Sequence, residues 1–283
     1  MEMAIHCLHT TYPGTFTTSV VCGYPEIFLH NPYVTGDYTG REIEMDYVEL
    51  LYSSRKHNLP FSHSYVVAIE GEIGLPIDIT CNRPHIYLSR EDIKPIIEGP
   101  YIVFSAGIKD DIPLKQWPYY QEVVDYFQKR IKCVQIGLPE HNGKPINGAV
   151  NLIGKTNIRQ LFQLCYRAVA GLGPVTFLQH ICASFQVPYF CLVGGRESPT
   201  WCGNYPLQHT FHTVGALSCC EKGPCLAKRP ERRNDNNPDD RRLCQQPVNG
   251  LGKCMRMIDP EQVIRSIENV INRCPSLQKQ EAG

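Results

Sequence analysis

The sequence predicts an α/β fold built on a parallel, doubly wound sheet. In the second half of the 283-residue chain, short apolar runs alternate with segments of helical spacing, and no internal repeat interrupts the alternation. Strands that alternate with helices form parallel sheets, which bind ligands outside the carboxyl ends of their strands. Chemistry is therefore expected in the loops at those ends, namely residues 107–116, 138–149, 172–176 and 194–206.

The alternation begins with an apolar strand at residues 101–107. A helix is predicted at 117–130, because Tyr120, Val123, Val124 and Phe127 recur at helical spacing and a proline is tolerated in the first turn. The next strand is predicted at 132–138. Thr156 is then expected to N-cap a helix whose buried positions are Ile158, Leu161, Phe162 and Cys165.

The same pattern continues to the end of the chain, with strands at 166–173 and 188–195 around a helix at 173–185. The last helix has the clearest signals. Asp259 is its predicted N-cap, with proline in the first turn and Gln262 closing a capping box. Its predicted buried positions are Val263, Ile264, Ile267, Val270 and Ile271.

The first hundred residues are less regular. Strands are predicted at 17–24 and 64–71, and a short helix at 89–99, which Ser89 and Asp92 would cap. Gly99-Pro100 is the expected domain boundary. The chain is thus divided into domains at 1–99 and 100–283.

Composition limits the partners. The formal net charge is zero, which argues against a general grip on nucleic acid or an anionic membrane. The basic residues between 228 and 242 are interleaved with acidic ones, as in a solvated loop; a phosphate-contacting role is the alternative. No apolar run reaches the roughly 18 residues that cross a bilayer, and the first residues do not have the pattern of a secretory signal. A cytoplasmic protein with reduced thiols is expected.

Five of the 14 cysteines fall in one polar, glycine- and proline-dotted segment: Cys219, Cys220, Cys225, Cys244 and Cys254. Four thiolates can hold zinc or iron tetrahedrally, and a metal would replace the hydrophobic core that this segment lacks. The expected ligands are Cys225, Cys244 and Cys254 with one of the adjacent pair. Such a closed site is structural, and no organic cofactor is expected. Paired disulfides and free thiols remain alternatives, since the spacing departs from common zinc ribbons.

Four residues in or beside the strand-end loops are candidates for ligand binding. Lys115 precedes a helix, where an ammonium can neutralise a diphosphate, although a surface lysine fits the same pattern. Glu140 follows a strand, where a carboxylate can accept hydrogen bonds from ribose. Thr176 and His180 lie four residues apart near a helix start, beside N–H groups that can receive phosphate; a structural histidine is the alternative.

Several motifs occur in an order that resembles glycosyltransferase family 9, the ADP-heptose-dependent heptosyltransferases. They run from KQWP through GKTNIRQL, GPVTFLQH, GGRESPTW and TVGALSCC to MIDPEQVIRSIE, with YPG and HNPY near the start. The resemblance implies a GT-B-like fold of two Rossmann-like domains, the first of them incomplete and on the acceptor side. It also implies inverting transfer of heptose from ADP-heptose, and donor binding by residues 100–283. A Cys-rich insertion at 202–254 would form a metal finger before the last helix.

The resemblance also assigns roles. Lys115 matches the family's phosphate-binding lysine, and Glu140 the ribose-contacting acid. Thr176 and His180 match the diphosphate motif Asp-Thr-Gly-Pro-x-His. Two departures from that motif matter: Val175 replaces its aspartate, and Phe177 replaces its glycine and would hinder the close backbone approach that glycine permits. The cysteine segment is similar to the iron-binding finger of autotransporter heptosyltransferases, with different spacings.

One family feature has no counterpart in the sequence. The family's candidate base is an aspartate in a Gly-Asp loop before the first helix, and Gly36-Asp37 is no match because it follows the HNPY pattern. The resemblance therefore implies a truncated enzyme or a poorly active relative, with the catalytic residue unknown. A silent nucleotide-sugar-binding or assembly subunit is the first alternative. A metal finger that docks through its arginines is the second. The acceptor stays unknown, and a homo-oligomer is an expected assembly.

Overall fold

The computed structural model describes residues 1–35, 48, 59–109, 112–141, 143–202, 205–233, 236 and 242–273. At its centre is a six-stranded sheet in which every neighbouring pair of strands is parallel. Its strands are β1 (Tyr101–Phe104), β2 (Lys132–Gln135), β3 (Val150–Asn151), β4 (Ala170–Pro174), β5 (Tyr189–Gly194) and β6 (Gln208–His212). The predicted parallel α/β fold is confirmed.

The strand order is β3-β2-β1-β4-β5-β6. The chain moves outward from β1 through β2 to β3, and then returns to place β4 on the other side of β1. The winding direction therefore reverses between β1 and β4. In open α/β sheets, ligands bind in the crevice outside the carboxyl ends at this reversal, so the fold by itself indicates where a site is expected.

Helices cover both faces of the sheet. On one face lie α3 (Tyr120–Phe127) and α8 (Pro260–Ile271), whose apolar sides pack on strand residues such as Phe104 and Phe190. On the other face lie α4 (Ile158–Arg167) and α5 (Phe177–Ser184), packed on Val103 and Tyr189. All these strand side chains are buried. Burial on both faces explains why the strands read as continuous apolar runs.

The helix boundaries differ from prediction by a few residues. The α4 N-cap is Asn157, not Thr156, because Asn157 completes a capping box with Gln160. The predicted strand at 166–173 starts only at Ala170, since α4 runs on to Arg167. As predicted, Asp259 caps α8, accepting a hydrogen bond from the Glu261 N–H at 3.1 Å.

The last part of the cysteine segment contains short elements. These are an antiparallel hairpin of β7 (Pro247–Val248) and β8 (Leu251–Gly252), and helix α7 (Lys253–Arg256), which leads into α8. The four-residue helix α6 (Pro199–Cys202) lies between β5 and β6. Among the described helices, none is long and apolar enough to cross a bilayer.

The N-terminal part contains helices α1 (Glu2–Thr11) and α2 (Phe61–Ile73), which pack together as a separate apolar cluster. The strand predicted at 64–71 is wrong, because these residues form α2. A short apolar run fits a buried helix as well as a strand, and packing of Val66 and Ile69 against α1 favours the helix.

The other N-terminal predictions are also corrected. The strand predicted at 17–24 is represented by a single bridge between Thr18 and Val34. Residues 89–99 form turns instead of a helix, although the expected Ser89–Asp92 hydrogen bonds are present. The described part of 1–99 adds no strand to the sheet. A Rossmann-like first domain stays a prediction, and Gly36-Asp37 lies outside the described residues.

Arginines tie the N-terminal segment to the C-terminal sheet. Arg159 on α4 donates to the carbonyl oxygens of Glu26 (3.1 Å) and Tyr87 (2.9 Å) and forms an ion pair with Asp92. Arg83 donates to the Ser184 carbonyl oxygen at the end of α5, at 2.7 Å. These contacts fix the segment before β1 against the face formed by α4 and α5.

Candidate active site

Lys115 lies at the point where the winding of the sheet reverses. A 3₁₀ turn, Pro113–Lys115, follows β1 and carries it. Its Nζ donates to the carbonyl oxygen of Val175, just after β4, at 3.0 Å. It also forms an ion pair with Glu197 Oε1, after β5, at 3.0 Å. Lys115 therefore joins the carboxyl ends of three neighbouring strands.

The partners of Lys115 form a buried charge cluster. Glu197 is only 2% exposed, and its Oε1 also accepts from Arg196 Nη1 at 2.8 Å. Two cations thus share one carboxylate, which leaves one formal positive charge. An ammonium has three donors, and Val175 and Glu197 account for two of them. The cluster is suited to receive an anion.

Thr176 begins helix α5 without capping it. The residue is extended, and no side-chain hydrogen bond caps the helix. Its Oγ1 is buried and lies beside the Tyr189 hydroxyl, to which it can donate, while that hydroxyl itself donates to the Pro174 carbonyl oxygen at 2.8 Å. The Thr176 hydroxyl can also accept a hydrogen bond, which a ligand or water would supply. The first-turn N–H groups of α5 add donors beside it.

His180 lies one turn further along α5. Its Nδ1 is 2.7 Å from the Tyr205 hydroxyl, and the two rings meet edge to face. Burial, reinforced by neighbouring positive charges that include Lys115, lowers the pKa of His180 to about 4. Burial raises the pKa of Tyr205. At neutral pH both groups are uncharged, and each can act as a hydrogen-bond donor or acceptor.

The structure places the two departures from the diphosphate motif as follows. Val175 contacts Lys115 through its backbone oxygen, so the loss of an aspartate side chain there does not affect this bond. The Phe177 side chain is 40% exposed, and its ring centroid lies 6.2 Å from that of Phe162 on α4. That Phe177 hinders the approach of a ligand stays a prediction.

Glu140 lies apart from the other candidates. It sits on the exposed 3₁₀ turn Pro139–His141, which follows β2. Because β2 flanks β1 on the side opposite β4, the turn is on the far side of β1 from the Thr176 and His180 pair. The sequence therefore predicted the strand end correctly, but the structure does not join Glu140 to the Lys115 cluster.

Four of the five finger cysteines line one cavity: Cys219, Cys225, Cys244 and Cys254. Cys220 does not line it, since its Sγ is directed at the Thr213 carbonyl oxygen, 3.5 Å away. Of the adjacent pair, Cys219 is therefore placed with the other three. Within the described part of the chain, no three of these sulfurs all lie within 4.8 Å of one another. A tetrahedral centre, with sulfur–sulfur edges of about 3.8 Å, requires the side chains to converge.

The chemistry of the cysteine cavity suits a metal. Burial raises the pKa of Cys254, and it raises that of Cys219 to about 11. The Gly195 N–H donates to the Cys254 sulfur, a bond that favours the thiolate form. Without a cation these thiols retain their protons at neutral pH. Four sulfur ligands around one cavity are the donor atoms that zinc or iron prefers, but the sulfurs lie farther apart than in a tetrahedral site.

The finger docks on the loop that carries the charge cluster. The Cys225 N–H donates to the Gly195 carbonyl oxygen (3.2 Å), and the Leu226 N–H donates to that of Arg196 (3.1 Å). In return Arg196 Nε donates to the Ala227 carbonyl oxygen at 2.6 Å. The finger thus holds the backbone that positions Arg196 and Glu197, and through Glu197 it reaches Lys115.

Sequence reasoning missed Arg196, Glu197 and Tyr205 as members of the site. The signal for the first two was present, because the Gly-Gly-Arg-Glu-Ser run directly follows a strand at the expected end of the sheet. The sequence did not indicate, however, that the charged side chains of Arg196 and Glu197 are buried. Tyr205 had no local signal, since only the fold brings it to His180.

No protein-family model and no curated protein sequence matches the chain. Solved structures do match it. A family 9 glycosyltransferase from Veillonella parvula has a TM-score of 0.53 at 18% identity, over 76% of this chain and 61% of its own. ADP-heptose LPS heptosyltransferase II of E. coli has a TM-score of 0.51 at 17% identity, over 83% of this chain and 66% of its own.

A third similar structure is TibC, an iron-containing dodecameric glycosyltransferase from enterotoxigenic E. coli. It has a TM-score of 0.54 at 16% identity, over 80% of this chain and 58% of its own. TibC has also been solved in complex with ADP-D-beta-D-heptose. The chain thus spans less than two thirds of each of these proteins. It has the fold of the family 9 glycosyltransferases, and the predicted GT-B-like class is confirmed.

Proposed function

We propose that this chain is a glycosyltransferase that uses a nucleotide sugar, with ADP-heptose or a close relative as donor. The observation that carries the proposal is the convergence of Lys115, Thr176 and His180 where the winding of the sheet reverses. The fold shared with family 9 supports it. Residues 100–283 would bind the donor and residues 1–99 would face the acceptor.

The donor diphosphate suits the groups that meet there. Lys115 supplies an ammonium beside a cluster with one excess positive charge. Thr176 supplies a buried hydroxyl next to the N-terminus of α5. Helix N-termini with hydroxyl and ammonium donors favour phosphate oxygens. As the sugar bond breaks, charge grows on the departing diphosphate, and these donors stabilise it.

His180 would act as a neutral donor to the same diphosphate. If the Tyr205 hydroxyl donates to Nδ1, the ring proton resides on Nε2 and can be donated to a phosphate oxygen. Tyr205 would then select the tautomer. Glu140 is kept as the proposed ribose contact, with its exposed turn available to a nucleoside.

The finger would bind one structural zinc or iron ion through Cys219, Cys225, Cys244 and Cys254. Its contribution to transfer is indirect. By drawing residues 225–227 together with 244 and 254, the ion would fix the backbone that holds Arg196 and Glu197. A fully protein-ligated metal leaves no position for substrate, so it would not take part in the reaction.

A catalytically silent nucleotide-sugar-binding subunit is the second candidate. It is favoured by one observation: Glu197, the acidic side chain in the Lys115 cluster, is already held by two cations and is therefore not free to act as a base. Loss of a general base typically lowers a rate by about 10²- to 10⁴-fold. Assembly as a homo-oligomer is a further proposal, which the dodecameric state of TibC supports. A cytoplasmic location is also proposed.

Donor turnover distinguishes the two candidates. ADP-heptose is incubated with the chain and a panel of acceptors, namely lipopolysaccharide core, serine-rich peptides and small alcohols, and released ADP is measured. An enzyme gives release on the order of 1 s⁻¹ with one acceptor, abolished by Lys115→Ala. ADP-heptose that binds but is never consumed favours the silent subunit. ADP-heptose that does not bind contradicts both.

A further inference from the structure

The geometry points to a second metal site, separate from the cysteine finger, in which His6, Cys81 and His85 bind a divalent transition-metal ion such as Zn²⁺. One nitrogen of each imidazole and the Cys81 sulfur all lie within 4.8 Å of one another. In tetrahedral zinc sites the corresponding edges are about 3.3 to 3.8 Å. The three ligands therefore need to converge by at most roughly 1.5 Å, without a change of fold.

Unsatisfied polar atoms provide an independent observation. Nδ1 of His6 and Nδ1 of His85 are both buried, and neither has a hydrogen-bond partner among the residues that the structure describes. The two rings are stacked, with centroids 4.2 Å apart. Buried polar atoms without partners are rare in native proteins and often mark the position of a bound water or ion. Two of them in adjacent rings, beside a thiol, indicate one shared partner.

The surrounding groups complement a cation. Glu2 is buried, its Oε2 lies 3.8 Å from His85 Nδ1, and it accepts the His85 backbone N–H at 2.5 Å. A metal would place positive charge beside this carboxylate. The Cys7 sulfur is 3.7 Å from that of Cys81, and either thiol can donate to the other. The Arg83 guanidinium donates to the Ser184 carbonyl oxygen at 2.7 Å, and its charge acts on His6 and His85 against a cation.

The donor set decides the type of metal. Two imidazoles and one thiolate suit zinc, cobalt or nickel, and they do not suit magnesium or calcium, which prefer oxygen ligands. Three protein ligands leave a fourth position for water or another small ligand. Because His6 lies on α1 and the other two lie in the segment before β1, the ion would join the two parts of the N-terminal region.

The test is metal stoichiometry on the reduced full-length chain. Wild type, a Cys81→Ser/His85→Gln double variant and a His9→Gln control are loaded with Zn²⁺, passed through a desalting column and analysed for bound metal. His9 is on the same helix, but it is engaged by the Thr18 hydroxyl, so it serves as a matched histidine substitution. We expect the double variant to hold one equivalent less than both other proteins, whatever the finger binds.

Equal zinc content in the wild type and the double variant overturns the assignment. A second measurement covers the case in which the double variant does not fold. The X-ray absorption spectrum of zinc-loaded wild type should contain imidazole scattering, which the all-cysteine finger cannot supply. Spectra with sulfur ligands alone contradict the site. Failure of the ADP and turnover experiments would leave this result unaffected, since the two sites share no residue.

Discussion

The protein should lose stability on mild acidification, and His180→Gln should make this loss considerably smaller. The pKa of His180 is lowered from 6.5 to about 4 by burial, with neighbouring positive charges adding to the effect. Between pH 6.5 and pH 4 the unfolded chain therefore binds a proton that the folded chain excludes. The free energy of unfolding falls as pH is lowered through this window.

The size of the effect follows from these two pKa values. Between pH 7.5 and pH 5.0, proton linkage at His180 costs about 2 kcal/mol of stability. Residual solvent contact reduces this to about 1 to 2 kcal/mol. Glutamine has similar size and can still bond the Tyr205 hydroxyl, but it takes up no proton. His180→Gln should therefore lose less stability than wild type over this interval.

The assay is urea unfolding of both proteins at pH 7.5 and pH 5.0, compared as a double difference. Glu2 works in the opposite direction, because burial raises its pKa to about 7, but it contributes equally to both proteins and cancels. His212→Gln, on the exposed end of β6, is the matched control and should behave as wild type. An equal loss of stability in wild type and His180→Gln would refute the reasoning.

Three further substitutions test other parts of the site. Glu197→Gln preserves the shape of the side chain but leaves the charges of Lys115 and Arg196 uncompensated, and should lower the free energy of unfolding in urea by about 1 to 3 kcal/mol. An unchanged free energy of unfolding would contradict the buried charge cluster. Cys225→Ser should lower bound zinc plus iron to below about half an equivalent at the finger and weaken ADP binding several-fold, because residues 225–227 hold Arg196; unchanged ADP affinity in the metal-free variant would separate the finger from the donor site. Gly194→Ala forces a side chain onto a residue with φ +64° and within 2.6 Å of the Met255 sulfur, and should cost about 2 to 4 kcal/mol, against about 1 kcal/mol for Gly215→Ala, which has a positive φ in open space; equal costs would show that the Met255 contact is not tight.

The sequence predicted the C-terminal sheet well because its signals are local. Apolar strands alternate with helices, and the caps and apolar faces of these helices can be recognised within short stretches of sequence, as at Asp259 and along α8. Errors there amount to a few residues. They arose where one sequence feature fits two structures. The Gly173-Pro174 pair suits the start of a helix, but it forms the end of β4, and α5 begins later.

The N-terminal region could not be predicted in the same way. Residues 64–71 have an apolar run that suits a strand or a helix, and contact with α1 decides between them. The α1 cluster joins residues about 60 positions apart, and the His6–Cys81–His85 group joins residues more than 70 positions apart. No local pattern carries such information.

The candidate site was predicted in part for the same reason. Strand-end loops locate Lys115, Thr176 and His180, since topology brings such loops together. The bond from Lys115 to Glu197 and that from His180 to Tyr205 depend on which loop turns inward. The choice of Cys219 over Cys220 likewise depends on a local turn, Ser218–Cys220, that places neighbouring thiols in different directions.

Calorimetric titration with ADP tests the central claim most directly. Wild type should bind ADP, and Lys115→Ala should bind it about 10- to 100-fold more weakly, because a charge-assisted hydrogen bond contributes roughly 1.5 to 3 kcal/mol. Lys129→Ala, which removes an exposed lysine after α3, is the matched control and should bind as wild type. Wild type that does not bind ADP, or Lys115→Ala that binds it equally well, would contradict a nucleotide-sugar site where the winding of the sheet reverses.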